Sequence, residues 1–229
     1  MRALSVAAGV PPEPGVAAVA GMGPVGWAVG ALYLVAGTAA LRWAMRRAGR
    51  RALGPADHVT LVRAVLICGV TALVADGGHT WSIVVLAVPA LLLDLVDGFV
   101  ARRTGTESDF GARFDMEADA LLILVLSVHA VQFLGPWVLA IGAMRYVFGA
   151  AAWAAPWLSR PLPPSPARKL VAALQGTALV VAAPGLLPSW AATTVVAAAL
   201  AALVWSFGRD VRRLWRSREC RGSLAARRR

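Results

Sequence analysis

Charge is scarce in this chain. Of its 229 residues only 15% are Asp, Glu, Lys or Arg, while 59% are hydrophobic. A water-soluble domain carries about a quarter charged residues, so the composition argues for lipid rather than water as the solvent. Cysteine is almost missing: Cys68 lies in an apolar run and Cys220 near the C-terminus, which implies no disulfide framework. The three histidines, His58, His79 and His129, are too dispersed for a zinc site. No internal repeat is present. Residues 1–23 are rich in Ala, Gly and Pro and are expected to be disordered. Prolines interrupt their only apolar core, which argues against a signal peptide.

What the chain has in abundance is apolar sequence. Runs at 26–45, 59–77, 81–101, 117–134, 137–158, 169–187 and 190–207 each approach the ~20 residues a helix needs to cross a bilayer. The expectation is an all-α, polytopic membrane helix bundle. The net charge of +11 is unevenly placed. Arg and Lys gather in 46–51, in 101–105 with Arg113, in 160–169 and in 209–229, whereas the junctions 76–80, 134–136 and 184–190 have neither. This alternation is the positive-inside pattern, which puts the basic loops and the C-terminus in the cytoplasm and the N-terminus outside. It leaves no need for nucleic acid as a partner. Trp27, Trp81, Trp137 and Trp190 open spans on the outer side, and Trp43, Trp157 and Trp205 lie near inner ends, as headgroup-level tryptophans should. The Arg-rich tail is expected to attract anionic lipid at the inner surface.

Against this background four aspartates stand out, because a carboxylate in a membrane span is costly and by default functional. Asp94 and Asp97 share one helical stripe with Gly98 and Ala101; Asp115 and Asp119 share another with Gly111. The connector RRTGTESDF is turn-rich, so the two helices are expected to run antiparallel with their acidic ends facing. At 1.5 Å per residue Asp94 lies about 12 Å along the helix from Arg102, below the inner surface but within reach of water. Converging carboxylates need a cation among them. Oxygen-only ligands suit Mg²⁺ or Mn²⁺, and four acids can hold two ions, a device for clamping phosphates. The small residues Gly98, Ala101 and Gly111 suit either a slot for a ligand or plain helix packing. Arg102 and Arg103 suit inner-surface anchoring equally well.

The order Asp94, Asp97-Gly98, Ala101-Arg102, Gly111, Asp115, Asp119 fits D-x(2)-D-G-x(2)-A-R-x(8)-G-x(3)-D-x(3)-D without departure and resembles the signature of the CDP-alcohol phosphotransferases. The resemblance extends more weakly from Asp57 to Phe207. It implies a six-helix catalytic membrane domain over 46–207, an extra transmembrane helix over 24–45 and a basic cytoplasmic tail over 208–229. The implied reaction moves a phosphatidyl group from a CDP-linked lipid such as CDP-diacylglycerol to the hydroxyl of a small polar alcohol, releasing CMP. By the same resemblance Asp94, Asp97, Asp115 and Asp119 hold two divalent ions, Mg²⁺ or Mn²⁺, and Asp119 is also the base. Gly98 and Ala101 form the cytidine slot, bounded by Gly111, and Arg102 orders the site or the phosphates. Members of this family are commonly homodimers.

Further positions match in part. ADHVTLVR resembles the family's P-N-x-x-T-x-x-R: Thr60, a nucleotide contact by that resemblance, and Arg63 match, while Ala56 and Asp57 replace Pro-Asn. The alternative is a helix start capped by Asp57. ARKLVAALQ resembles G-K-x-K-T-x-x-Q at Lys169 and Gln175 only. Arg168 and Lys169 are expected either to form a phosphate pocket with Arg113 or to anchor the inner surface. Arg145 lies deep in its span and is expected to face the cavity, pairing with an aspartate or an acceptor phosphate, with a structural ion pair as the alternative. Glu117 points off the aspartate stripe and is a candidate for pairing with an arginine. Two rival functions share the acids: a Mg²⁺-dependent prenyltransferase, which also acts on a pyrophosphate, and a cation carrier. Neither requires the spacing of Gly98, Ala101 and Arg102.

Overall fold

In lipid every backbone N–H and C=O must be satisfied within the segment, which leaves helices as the solution for apolar runs of this length. The computed structural model describes residues 21–47, 55–104, 109–159, 166–183 and 187–226. Most of the N-terminal segment expected to be disordered, residues 1–20, lies outside them, as do the side chains at 95–104 and 109–114. Among the described residues there are seven α-helices and no strand: α1 (Pro24–Arg47), α2 (Pro55–Ala75), α3 (Thr80–Thr104), α4 (Asp109–Leu134), α5 (Leu139–Ala154), α6 (Pro166–Ala182) and α7 (Ser189–Ala226). Short 3₁₀ turns at Pro136–Val138 and Pro156–Ser159 flank α5. Three of the helices begin on proline, whose missing N–H is harmless at the first helical position and whose fixed φ suits it.

Five stretches are long and apolar enough to cross a membrane: Pro24–Trp43, His58–Ala75, Asp115–Leu134, Pro136–Ala154 and Ser189–Arg216. Thr80–Asp94 and Leu170–Ala182 are shorter apolar helices that complete the bundle. The chain is a polytopic helical membrane protein, as its hydropathy implies. The core lies where α2, α3, α4, α6 and α7 meet, around Ile67, Ile83, Leu122, Leu126, Leu179 and Val196. Large apolar side chains on the perimeter, such as Leu32, Val65, Leu92 and Val147, are exposed, as lipid-facing positions should be. Through the basic C-terminal segment α7 runs on as one helix to Ala226.

Two details fix the frame of the site. At the end of α2 the turn Asp76-Gly77-Gly78 closes a Schellman motif: Gly78 N–H donates to Leu73 O at 2.7 Å and Gly77 N–H to Val74 O at 3.2 Å. Gly77 sits there at φ 69°, a left-handed value that a side chain resists. The same turn holds the first helix. Asp76 accepts the Gly23 N–H at 2.6 Å and the Gly26 N–H at 3.3 Å, which satisfies two donors that α1 leaves open at its N-terminus. Gly26 permits the approach, since a Cβ there would lie 3.0 Å from Ala72 O and 3.0 Å from Asp76 Cβ. The substantial contacts of α1 are with α2, so it packs as an addition to the bundle formed by α2–α7.

Candidate active site

The acidic motif is split between the C-terminal half of α3 and the N-terminal turns of α4. Helical spacing puts Asp115 and Asp119, four apart, on one face of α4. Carboxylate oxygens of Asp94, Asp115 and Asp119 lie within 4.8 Å of one another, a spread that one divalent ion could bridge. Their side chains are 30–35% exposed, so the cluster reaches water from a half-buried position. The side chain of the fourth aspartate, Asp97, lies outside the described residues.

A cation already stands among these acids. The guanidinium of Arg63, 1% exposed, comes from α2: its Nη1 lies 2.9 Å from Asp94 Oδ1 and also pairs with Asp115, while Nη2 pairs with Asp119. Arg63 therefore joins α2 to both acidic helices. With three ionised carboxylates and one guanidinium the cluster retains two negative charges, the charge that a single Mg²⁺ or Mn²⁺ neutralises. The donor set fits a hard divalent ion on this count and on its all-oxygen composition. Arg63 matches the family pattern one turn after Thr60, yet sequence reasoning gave it no role. The available signal was an arginine inside an apolar run, since such a residue needs a partner.

The remaining expected positions divide into three groups. Thr60 is half-buried on α2, three residues before Arg63 and hence on the same side of the helix. Gly98, Ala101, Arg102, Gly111 and Arg113 have their backbones on α3 and α4 beside the acids, but their side chains, like that of Lys169 on α6, lie outside the described residues. Arg145, expected at the cavity with an aspartate or an acceptor phosphate, instead pairs with Glu117, as the ion-pair alternative has it. The reason is register: Glu117 is two residues from both Asp115 and Asp119, so its partner is drawn off their stripe. Arg168 likewise has an acidic neighbour, Asp210 of α7, at 3.7 Å.

An intramembrane cluster of acids at facing helix ends defines a membrane protein with a charged site, open to a polar ligand. Residues 54–205 match the CDP-alcohol phosphatidyltransferase family, and the chain belongs to it. A CDP-diacylglycerol–serine O-phosphatidyltransferase of Methanocaldococcus jannaschii is 35% identical over 72 residues, 31% of this chain and 32% of that protein. The chain thus matches about a third of that relative's length. No solved structure matches it.

Proposed function

We propose that the chain transfers a phosphatidyl group from CDP-diacylglycerol or a similar CDP-linked lipid to the hydroxyl of a small polar alcohol. The observation that supports this most directly is the meeting of Asp94, Asp115 and Asp119 within 4.8 Å, in the register of the family signature. These three, with Asp97, would hold the divalent ions, Mg²⁺ or Mn²⁺ and two in number. Bound there, the ions would offset the charge of the diphosphate and of the departing CMP.

The protein's own groups supply the rest. Asp119 is exposed enough to meet an acceptor hydroxyl and takes its proton as the new O–P bond forms. The P–O bond to CMP breaks in the same displacement, and CMP leaves with the electron pair. Arg63 holds Asp94, Asp115 and Asp119 in one orientation, so little reorganisation is needed when the substrate arrives. Thr60, Gly98, Ala101, Arg102 and Gly111 are assigned to the nucleotide, with Arg113 and Lys169 assigned to the acceptor side. The site and the C-terminus face the cytoplasm and the N-terminus lies outside, on the strength of the positive-inside distribution. A homodimer is the proposed assembly.

The test is turnover in proteoliposomes with labelled CDP-diacylglycerol and a panel of acceptors led by serine, the acceptor in the archaeal relative's name, followed by glycerol phosphate and inositol phosphate. Acceptor-dependent CMP release that stops with chelator and returns with Mg²⁺ is expected. Reaction of a prenyl pyrophosphate in place of the CDP-lipid, or cation flux with no CMP formed, would overturn the assignment.

A further inference from the structure

The end of α7 carries a cationic groove for which the proposed chemistry has no use. Trp205, Arg209, Arg212, Arg213 and Arg216 line a concavity of about 270 Å³. Their spacing places them on one stripe of the helix. The Arg209 guanidinium stacks 4.9 Å from the centre of the Trp205 ring. Its Nε and Nη2 are buried and lack a hydrogen-bond partner, although Nε lies 4.0 Å from Asp210 Oδ1. Asp210 is itself buried and 3.7 Å from Arg168, so it leaves most of the groove's charge unanswered. Arg212 donates from Nε to Gly208 O at 3.3 Å, which lays the side chain along the helix and leaves its terminal nitrogens for another acceptor. Arg213 and Arg216 are exposed.

The groove continues into an apolar face. One and two turns back along the same stripe Ala201 and Ala198 are exposed, and Ala197 and Val204 are exposed on its flank, within the stretch long enough to cross the membrane. Trp205, 57% exposed, stands at the junction, the depth an interfacial tryptophan prefers. A ligand matching both halves has a phosphate at one end and acyl chains at the other. Arginine is the residue suited to that phosphate, because its planar fork donates two parallel N–H groups to two oxygens. A merely basic membrane anchor needs neither a concavity nor an arginine with two buried donors lacking a hydrogen-bond partner.

We propose that this groove binds the headgroup phosphate of an anionic membrane phospholipid, with the acyl chains lying along Ala201 and Val204. The proposal is independent of the transferase reading, since binding is measured without turnover. The full chain is released from nanodiscs of mixed dioleoylphosphatidylglycerol and dioleoylphosphatidylcholine, and retained lipid is counted by native mass spectrometry. The wild type is expected to retain phosphatidylglycerol over phosphatidylcholine by about tenfold or more, and R212Q/R213Q/R216Q to lose that preference. Inorganic phosphate should not displace the lipid. Equal preference in wild type and triple variant would reduce the groove to general surface charge, and displacement by inorganic phosphate would make it a free-phosphate site; either result overturns the proposal. Should the triple variant not fold, R212K/R213K/R216K decides: it keeps the charge and loses the forks, so the preference should fall here too, whereas an unchanged preference sinks the idea.

Discussion

Aspartates that meet α2 in two places have opposite fates. At its C-terminal end Asp76 accepts two backbone N–H groups from the start of α1, and its charge is used within the fold. About two turns in from its N-terminus Arg63 draws in Asp94, Asp115 and Asp119, and one guanidinium cannot neutralise three carboxylates. The first arrangement is a fastening. The second leaves unmatched negative charge in a half-buried place, the arrangement expected of a site rather than a strut. In a membrane protein the number of partners an acid has, more than its depth, separates structure from function.

The sharpest way to break this contrast is to remove a member of the surplus. Asp115→Asn should lower CMP release by about 10²–10³-fold while leaving the protein inserted and monodisperse by size-exclusion chromatography. Near-normal turnover would mean that the cluster is only another fastening. Next comes the shared cation. Arg63→Gln leaves three carboxylates facing one another, and the loss of a buried partner should cost about 3 kcal/mol. Mg²⁺ should restore part of the lost thermal stability, more than it stabilises the wild type; no difference in the Mg²⁺ effect would remove the link between Arg63 and an ion site.

At the other end the effect is smaller and local. Asp76→Ala should cost about 1–2 kcal/mol, in line with the loss of a helix cap, and speed hydrogen exchange in α1 with CMP release unchanged. A fall in turnover matching that of Asp115→Asn would tie α1 to catalysis and erase the distinction. The smallest change is expected from Glu117→Gln. Its pair with Arg145 is half-exposed, so stability should move by less than about 1 kcal/mol. A large rise in the acceptor KM would instead bring Arg145 into the acceptor pocket.

Much of this was legible beforehand because it is written locally. The span at 117–134 is recovered inside α4, Asp109–Leu134, since hydropathy and the backbone's demand for internal hydrogen bonds act residue by residue. The meeting of Asp94 with Asp115 and Asp119 agrees with the helical period, readable in the chain, that puts Asp115 and Asp119 on one face. Arg63 shows where such reading stops. Its partner Asp115 is 52 residues away, and an isolated arginine in an apolar run gives no address for the carboxylate that will meet it. Depth in its span points Arg145 to the cavity, to an aspartate or an acceptor phosphate, but depth does not determine azimuth, and packing of α5 on α4 turns it to Glu117. The extension of α7 to Ala226 was equally hidden, because hydropathy marks where a helix leaves the lipid and not where it ends.

By itself, then, the sequence determined the number of apolar helices and the helical faces on which the motif acids lie, since each depends on neighbours within a few turns. Tertiary structure alone decided which cation those acids share, which acid closes the start of α1 and which glutamate holds Arg145. Those choices join residues from different helices, and an electrostatic pair is settled by distances that exist only after the helices have packed.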